Sequence, residues 1–158
     1  MPTCTVERAA VEITDLISPE RVIVGFRANG KPQLLAELAR RAAAGTGLPR
    51  KQIDEALEAR EGLGSTGVGG GIAIPHAQLA GIDRFFGLFV RLDRPIGYEA
   101  IDGQRVDLVF LLLIPPHSKE HLHALAAISR RLRDPKIASN LRSAKSAAEL
   151  YGALTTAS

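Results

Sequence analysis

The sequence is poor in the residues that mark several large classes of protein. Its 158 residues include no Trp, one Cys, one Met and only 4% aromatic residues. A single cysteine, Cys4, excludes an internal disulfide and fits a reducing compartment. Because aromatic side chains are so few, the core must be built mainly from Ala, Leu, Ile and Val.

Long apolar runs and a secretory leader pattern are missing as well. The longest apolar run, at 106–116, is interrupted by Asp107 and is far too short to cross a bilayer. The first 16 residues carry charges where a secretory signal has its apolar region. We therefore expect a cytoplasmic protein with no direct membrane insertion.

Charge of one sign is not concentrated anywhere. Twenty Lys and Arg residues are interspersed with 17 Asp and Glu residues, which leaves a net charge of +3. The densest basic cluster, Arg130, Arg131 and Arg133, has no aromatic neighbours on which bases could stack, so it indicates the solvent face of a helix. No nucleic-acid partner is expected.

Strand and helix patterns alternate along the chain. β-Branched or continuous apolar runs predict strands at 21–26, 71–75, 84–92 and 105–114. Apolar spacings of three and four residues predict helices at 31–44, 49–60 and 118–133. One or two short helices are expected in the tail, the last beginning at the capping-box pattern Ser146-x-x-Glu149. This order predicts a single-domain α/β sandwich over 1–158, with a central mixed sheet flanked by helices on both faces.

A glycine-rich segment, REGLGSTGVGGGIAIPH, occupies residues 60–76. Residues 62–67 match G-x-G-x-x-G, but that nucleotide-binding pattern requires a strand before the glycines and a helix after them. Here a helical pattern precedes the glycines and a strand pattern follows them, so no nucleotide cofactor is expected. Two interpretations remain, an ordinary glycine-rich turn or a backbone path whose N–H groups line an anion site.

The histidines raise the possibility of a zinc hydrolase. His117 and His121 match the H-x-x-E-H metal motif with Glu120 between them. No third ligand stands at a suitable position, so no metal is predicted. Helical geometry puts His121 at the margin of a buried stripe and His123 on the opposite, exposed side. His76 and His121 either meet at one rim of the sheet or are ordinary hydrogen-bonded polar groups.

Glu61, Val68-Gly69 and 72–77 (IAIPHA) together resemble the phosphorylation-site signature of the fructose/mannitol-type IIA proteins of the bacterial phosphoenolpyruvate-dependent phosphotransferase system. Three longer blocks, at 56–79, 95–116 and 121–134, resemble family segments in the same order, and the likeness covers about 16–154. The sequence is most similar to the nitrogen-regulatory branch, the IIA-Ntr (PtsN) proteins.

The resemblance implies that His76 accepts a phosphoryl group from a phosphohistidine on a small HPr-like carrier, called NPr in that branch. It also implies that Arg60 and His121 stand beside His76. Neutral imidazole is a competent nucleophile near pH 7, and phosphoryl transfer depends mainly on positioning and on donors for the phosphoryl oxygens. Expected donors are the hydroxyls of Ser65 and Thr66 and backbone N–H groups near Gly69 and Gly71. No cofactor is required.

Two functions remain open within this family. A regulator would change its contacts with target proteins according to the phosphorylation of His76, whereas a sugar-transport component would pass the group to a IIB domain. The regulator is favoured, because no fused IIB or membrane segment is evident. One position departs from the relatives, which often have a polar or acidic residue where this chain has Gly70. We expect the transfer rate or the choice of partner to differ as a result.

Overall fold

The structure is a computed structural model in which residues 11–156 are described, and Cys4 therefore lies outside the description. Two 3-10 turns, Ile13–Asp15 and Pro19–Arg21, come first. The strands described are β1 (Val22–Phe26), β2 (Gly67–Gly69), β3 (Ile72–Ala73), β4 (His76–Gln78), β5 (Phe86–Ile96) and β6 (Val106–Ile114). The helices described are α1 (Lys31–Thr46), α2 (Arg50–Gly62), α3 (His121–Arg133), α4 (Pro135–Ser143) and α5 (Ala147–Thr155).

The strands form one mixed sheet in the order β1-β5-β6-β3-β2, with β4 also paired to β6. β6 runs antiparallel to β5 but parallel to β3 and β4, and β2 and β3 form an antiparallel hairpin. β3 and β4 follow one another along the same side of β6. The predicted central mixed sheet is confirmed.

β6 is central because both of its faces are apolar. Leu108, Phe110 and Leu112 pack with α3, α4 and α5 on one side of the sheet. Val109 and Leu111 pack with α1 and α2 on the other side. Successive side chains of a strand point to opposite faces, so one continuous apolar run supplies both halves of the core. Helices cover both faces, as predicted.

The predicted elements differ from the observed ones mainly at short segments. β2 and β4 were not expected, because three-residue strands leave no periodic pattern to recognise. α3 begins at His121 rather than at 118, because Glu120, with φ −113° and ψ 8°, has a non-helical backbone and is the N-cap. The tail contains two helices, and the Ser146 side chain caps α5 by accepting from the Glu149 N–H at 3.1 Å.

None of the helices described within residues 11–156 combines the length and the apolar character that crossing a bilayer requires.

Candidate active site

His76 stands at the start of β4, beside the carboxyl half of the central strand. Its partner across the parallel pairing is Leu112 of β6. The chain reaches it from the end of α2 through the β2–β3 hairpin and the buried Ile74-Pro75 pair. β6 ends two residues beyond Leu112, at Ile114, and leads towards α3. The short β4 therefore carries a half-buried imidazole to the edge of the sheet at which α3 begins.

The hydrogen bonds of His76 define its tautomer. Its Nδ1 lies 2.8 Å from the carbonyl oxygen of Ile74. A carbonyl oxygen can only accept, so Nδ1 carries the proton and Nε2 keeps a lone pair. The Nε–H of Arg60 points at that lone pair, with 3.4 Å between the two nitrogens. The nucleophilic nitrogen of the neutral ring is therefore Nε2.

The surroundings of His76 also lower its pKa. Partial burial is the largest cause, because it disfavours the charged ring, and the positive charges of Arg60 and His121 act in the same direction. The hydrogen bond to Ile74 and the negative charge of Glu61 oppose the shift without cancelling it. The imidazole is thus kept neutral near pH 7, which is the form that can act as a nucleophile.

His121 is the first residue of α3 and is half-buried. Its Nδ1 lies 3.3 Å from the carbonyl oxygen of Ser118, which fixes the ring near the helix terminus. Its charge is near enough to lower the pKa of His76. His123 is exposed, in agreement with its predicted position on the helix.

Arg60 lies in the last turn of α2, with one side of its guanidinium fixed. Its Nη1 donates to the carbonyl oxygen of Gly64 at 2.9 Å, and its Nε faces His76. Within the described range 11–156, no ion pair joins Arg60 to a carboxylate. The guanidinium therefore carries its positive charge beside the nucleophile without neutralisation by a neighbouring acid.

Directly after Arg60, the Glu61 carboxylate is the centre of a buried cluster with Lys31, Thr66 and Tyr98. One oxygen, Oε1, lies 2.9 Å from Lys31 Nζ and accepts from the Thr66 N–H at 3.1 Å. The other, Oε2, accepts from the Thr66 hydroxyl and from the Tyr98 hydroxyl, the latter at 3.1 Å. Burial alone would raise the pKa of Glu61, but the hydrogen bonds from Thr66 and Lys31 outweigh it and hold the pKa below its usual value.

Sequence reasoning missed Lys31 and Tyr98 as members of this cluster. Lys31 precedes Glu61 by 30 residues, so no local spacing connects them. One signal was available, because Glu61 is the first residue of the matched signature and its charge requires a partner if buried. Nothing in the sequence identified which cation would supply it.

The two predicted hydroxyl donors are already engaged. Thr66 is only 4% exposed, and its hydroxyl lies between Glu61 and Tyr98. The Ser65 hydroxyl donates to the Tyr98 carbonyl oxygen at 3.0 Å and accepts from the Gly67 N–H at 3.1 Å. These contacts hold the α2–β2 connection in place, and a direct role of either side chain in binding phosphate stays a prediction.

Gly69 and Gly71 lie at the far end of the hairpin, away from His76. Gly69 is paired with Ile72, which in turn lies opposite Leu108 of β6, and the Gly71 carbonyl accepts from the Leu108 N–H at 3.1 Å. His76 lies opposite Leu112, four residues further along β6, a span of about 13 Å at ~3.3 Å per strand residue. This register gives no support to the prediction that these glycines contact a phosphoryl group on His76.

The glycines have a structural role instead. Gly69, Gly70 and Gly71 all have positive φ, between 67° and 99°, and form the tight turn between β2 and β3. Gly70 is exposed in that turn, which the strand register places well away from His76, so a side chain at this position would not contact the ring. The expected influence of Gly70 on the histidine is not supported.

The zinc motif is not assembled into a site. His117 is exposed and adopts a positive φ before α3 begins. Among residues 11–156, no group of three or more His, Cys, Asp or Glu side chains could hold a metal ion. The described part of the chain therefore offers no observation in favour of zinc chemistry.

Comparison with known families shows which family the chain belongs to. The family model described as "Phosphoenolpyruvate-dependent sugar phosphotransferase system, EIIA 2" matches residues 15–157. The chain belongs to this EIIA type-2 family. The EIIA chain is 50% identical over 143 residues to a nitrogen regulatory protein of Bradyrhizobium diazoefficiens, covering 90% of this chain and 94% of the relative. It is 40% identical over 147 residues to a nitrogen regulatory protein of Escherichia coli, covering 92% of this chain and 90% of the relative.

Sugar-specific relatives are more distant and much longer than the EIIA chain. The 2-O-α-mannosyl-D-glycerate-specific EIIABC component of Escherichia coli is 32% identical over 151 residues. This alignment covers 93% of the EIIA chain but 23% of the relative. The two nitrogen regulatory proteins, in contrast, are matched over nearly their whole length.

Solved structures share the fold of the EIIA chain. Nitrogen regulatory protein IIA-Ntr from Neisseria meningitidis matches with a TM-score of 0.85 and 33% identity, over 90% of this chain and 99% of that one. IIA mannitol from Escherichia coli matches with a TM-score of 0.74 and 18% identity, over 87% and 98% of the two chains. The predicted family and fold class are confirmed.

Proposed function

We propose that His76 is a phosphoryl acceptor, charged through Nε2 by a phosphohistidine on an HPr-like carrier, and that the phosphorylation state regulates partner proteins. The observation that carries the proposal is the pair of contacts made by the imidazole. Nδ1 is occupied by the Ile74 carbonyl, whereas Nε2 has its lone pair directed at Arg60. A ring held in this way is prepared for attack from one nitrogen only.

The transfer can be written with its bonds balanced. The Nε–H of Arg60 leaves the Nε2 lone pair of His76 and donates to a phosphoryl oxygen instead. The freed lone pair attacks the phosphorus of the carrier's phosphohistidine, and the N–P bond of the carrier breaks. The bonding electrons return to the carrier's imidazole, which takes a proton from solvent, while Nδ1 of His76 keeps its proton on the Ile74 carbonyl. No metal and no nucleotide takes part in this step.

Arg60 supports the transfer electrostatically. Negative charge is spread over the equatorial oxygens of the transferring group, so a fixed guanidinium next to the nucleophile favours the transition state. Its Nη1 is held by Gly64, which orients the planar group before the carrier arrives. His121, at the start of α3, lies close enough to act on His76 electrostatically.

The regulatory branch is favoured over the sugar-transport branch. The relatives matched over nearly their whole length are nitrogen regulatory proteins, whereas the sugar-specific relative contains the matched segment as about a quarter of a longer chain. Phosphorylation would add roughly −1.5 to −2 charges beside α3, if phosphohistidine resembles other phosphorylated side chains. A change of that size at an exposed edge is sufficient to alter which proteins dock there.

The acceptor is tested by incubating the protein with phosphoenolpyruvate, enzyme I and an HPr-like carrier, and then measuring acid-labile phosphate on the protein. We expect stoichiometric labelling of the wild type and none of His76→Ala. His123→Ala is the matched control, because this histidine is exposed on α3 and should be labelled normally. Undiminished labelling of His76→Ala would remove His76 from the reaction.

The choice of branch is tested with the labelled protein. Membranes and candidate sugars are added, and the fate of the phosphoryl group is followed. A regulator retains the label or returns it to the carrier, whereas a transport component loses it to a IIB domain and then to sugar. Sugar-dependent loss of the label would establish the transport function instead.

A further inference from the structure

Lys31 occupies a position that helix stability does not explain. It is the first residue of α1, where the helix dipole disfavours a positive charge. Its side chain is nevertheless only 14% exposed, with Nζ 2.9 Å from Oε1 of Glu61, 3.4 Å from Oε1 of the exposed Glu99 and 4.5 Å from the centre of the Tyr98 ring. A lysine buried against the dipole must be kept there by the groups that it contacts.

The main contact of Lys31 is a carboxylate that would otherwise compete for the active-site arginine. Glu61 follows Arg60 directly, and the charges of both residues act on His76, the arginine lowering its pKa and the glutamate raising it. Both side chains are also bound to the same short loop. Arg60 Nη1 donates to the Gly64 carbonyl oxygen, and Glu61 Oε1 accepts from the N–H of Thr66, two residues further on. A freed carboxylate at Glu61 would therefore be a neighbouring partner for the guanidinium, which matches it in geometry.

They do not pair, because both oxygens of Glu61 are occupied. Lys31 and the Thr66 N–H contact Oε1, and the hydroxyls of Thr66 and Tyr98 contact Oε2. Lys31 is the member of this cluster that supplies positive charge. Arg60 is left with a backbone carbonyl and the His76 ring as its partners.

We propose that Lys31 is a positioning residue for phosphoryl transfer: by neutralising Glu61, it keeps the guanidinium of Arg60 available to the transferring group. The inference rests on the proposed function of His76 as the acceptor. Without Lys31, the Glu61 carboxylate draws Arg60 away from His76, and the transition state loses its nearest cation. Lys31 itself touches neither His76 nor the phosphoryl group.

A double-mutant cycle separates this role from a purely structural one. Single-turnover transfer from the phosphorylated carrier is measured for the wild type, Lys31→Met, Arg60→Gln and the double variant, and thermal unfolding verifies that each is folded. If Lys31 acts through Arg60, Lys31→Met slows transfer on the order of tenfold in the wild type and less than about twofold in the Arg60→Gln background. The exposed Lys51→Met on α2 is the matched control, because it removes a lysine whose side chain is 86% exposed.

A second variant keeps the test decisive should Lys31→Met unfold. Lys31→Met/Glu61→Gln removes the competing charge together with its partner, and an amide at position 61 can still accept from the Thr66 N–H. We expect this variant to transfer at close to the wild-type rate. A folded double variant that is slower than the wild type on the order of tenfold would overturn the inference.

The pKa of His76, measured by NMR in unphosphorylated protein, supplies a readout that needs no transfer. The charged groups that act on this ring are Arg60, Glu61 and His121. Displacing Arg60 removes a cation, so Lys31→Met should raise the pKa of His76, and Lys51→Met should not. An unchanged pKa in folded Lys31→Met would overturn the inference.

The acceptor role of His76 and the positioning role of Lys31 would be overturned by different results. If the wild type takes up no phosphate at His76, the proposed function fails and the inference with it. If the wild type is labelled but Lys31→Met slows transfer by the same factor in both Arg60 backgrounds, only the role of Lys31 is overturned.

Discussion

Two arginines contact the glycine-rich segment, one at its hairpin turn and one beside His76, and they are used differently. Arg142 of α4 contacts the turn at Gly70 and Gly71. Its Nε and Nη2 each lie 2.9 Å from an oxygen of Asp107, and its Nη2 also donates to the Gly70 carbonyl oxygen at 2.8 Å. Arg60, away from the turn, faces the ring of His76.

The two arginines differ in whether a carboxylate neutralises the guanidinium. The hydrogen bonds to Asp107 raise the pKa of Arg142 and bind its charge to a partner, which makes it a clamp between α4 and the sheet. The charge of Arg60 remains available because the nearby carboxylate is bound by Lys31. An arginine with satisfied partners stabilises the fold, whereas one kept without a carboxylate can bind an anion.

The largest expected effect is that of Arg60→Gln on transfer. Removing the cation beside Nε2 should lower the transfer rate by about 100-fold or more, as for the loss of other fixed donors to a developing negative charge. The melting temperature should change little, since Arg60 is half-buried and makes one backbone hydrogen bond. If Arg60→Gln lost as much unfolding free energy as is expected for Arg142→Gln and still transferred phosphate normally, the contrast between the two arginines would be contradicted.

Gly71→Ala tests the turn that Arg142 clamps. The added Cβ would lie 2.5 Å from Arg142 Nη2 and 3.0 Å from Asp107 Oδ1, at a φ of +81° that disfavours any side chain. We expect the free energy of unfolding to fall by about 1–3 kcal/mol in chemical denaturation, from steric displacement and backbone strain together. Transfer at 25 °C should stay within about twofold of the wild type, because the turn lies about 13 Å from His76.

Arg142→Gln is the counterpart of Arg60→Gln. It leaves Asp107 without its cation, at a site where the arginine side chain is 37% exposed. We expect a loss of about 1 kcal/mol of unfolding free energy, reduced from the value for a buried pair by solvent screening. Phosphoryl transfer by the folded protein should be unaffected, and a slow but stable variant would contradict the assignment of this arginine to the fold.

The pH dependence of transfer should also separate the two arginines. The pKa of His76 lies below its ordinary value of 6.5, mainly through burial and further through Arg60. As the pH is lowered, the acceptance rate should therefore decline at a lower pH than expected for an ordinary imidazole, because protonation of Nε2 removes the nucleophile. Arg60→Gln removes one lowering charge, so its decline should begin at a higher pH; Arg142→Gln should leave the profile in place.

Gly70→Asn has the smallest expected effect. Gly70 is exposed, the nearest atom to an added Cβ is 4.0 Å away, and Asn tolerates the φ of +67° better than most residues do. Stability and transfer should both remain close to those of the wild type. A marked change in transfer would show that the residue at this position reaches the histidine by a route that the structure does not contain.

Long periodic segments were predictable from sequence, whereas the short ones around the site were not. β6 was evident as a continuous apolar run, and α1 and α2 followed from their apolar spacing. The hairpin and β4 were not, since each strand is two or three residues long and depends on pairing with residues far away in sequence.

The site was predicted only in part, because some of its contacts also depend on residues far apart in the sequence. His76, Arg60 and His121 were named from the signature and its neighbours, and the structure brings their charges within range of one another. The roles of Thr66 and Gly71 were assigned to phosphate because their types suit it, but the register of β3 and β4 on β6 separates the hairpin turn from the histidine. Lys31 was missed because a buried ion pair across 30 residues leaves no local pattern.

The most direct test of the account is the identity of the phosphorylated nitrogen. Uniformly 15N-labelled protein is phosphorylated by the carrier, and the 31P–15N couplings of the phosphohistidine are read by NMR. Because Nδ1 of His76 is held by the Ile74 carbonyl and Nε2 faces Arg60, we predict phosphorus on Nε2. Phosphorus on Nδ1 of His76, or on His121, would contradict the account.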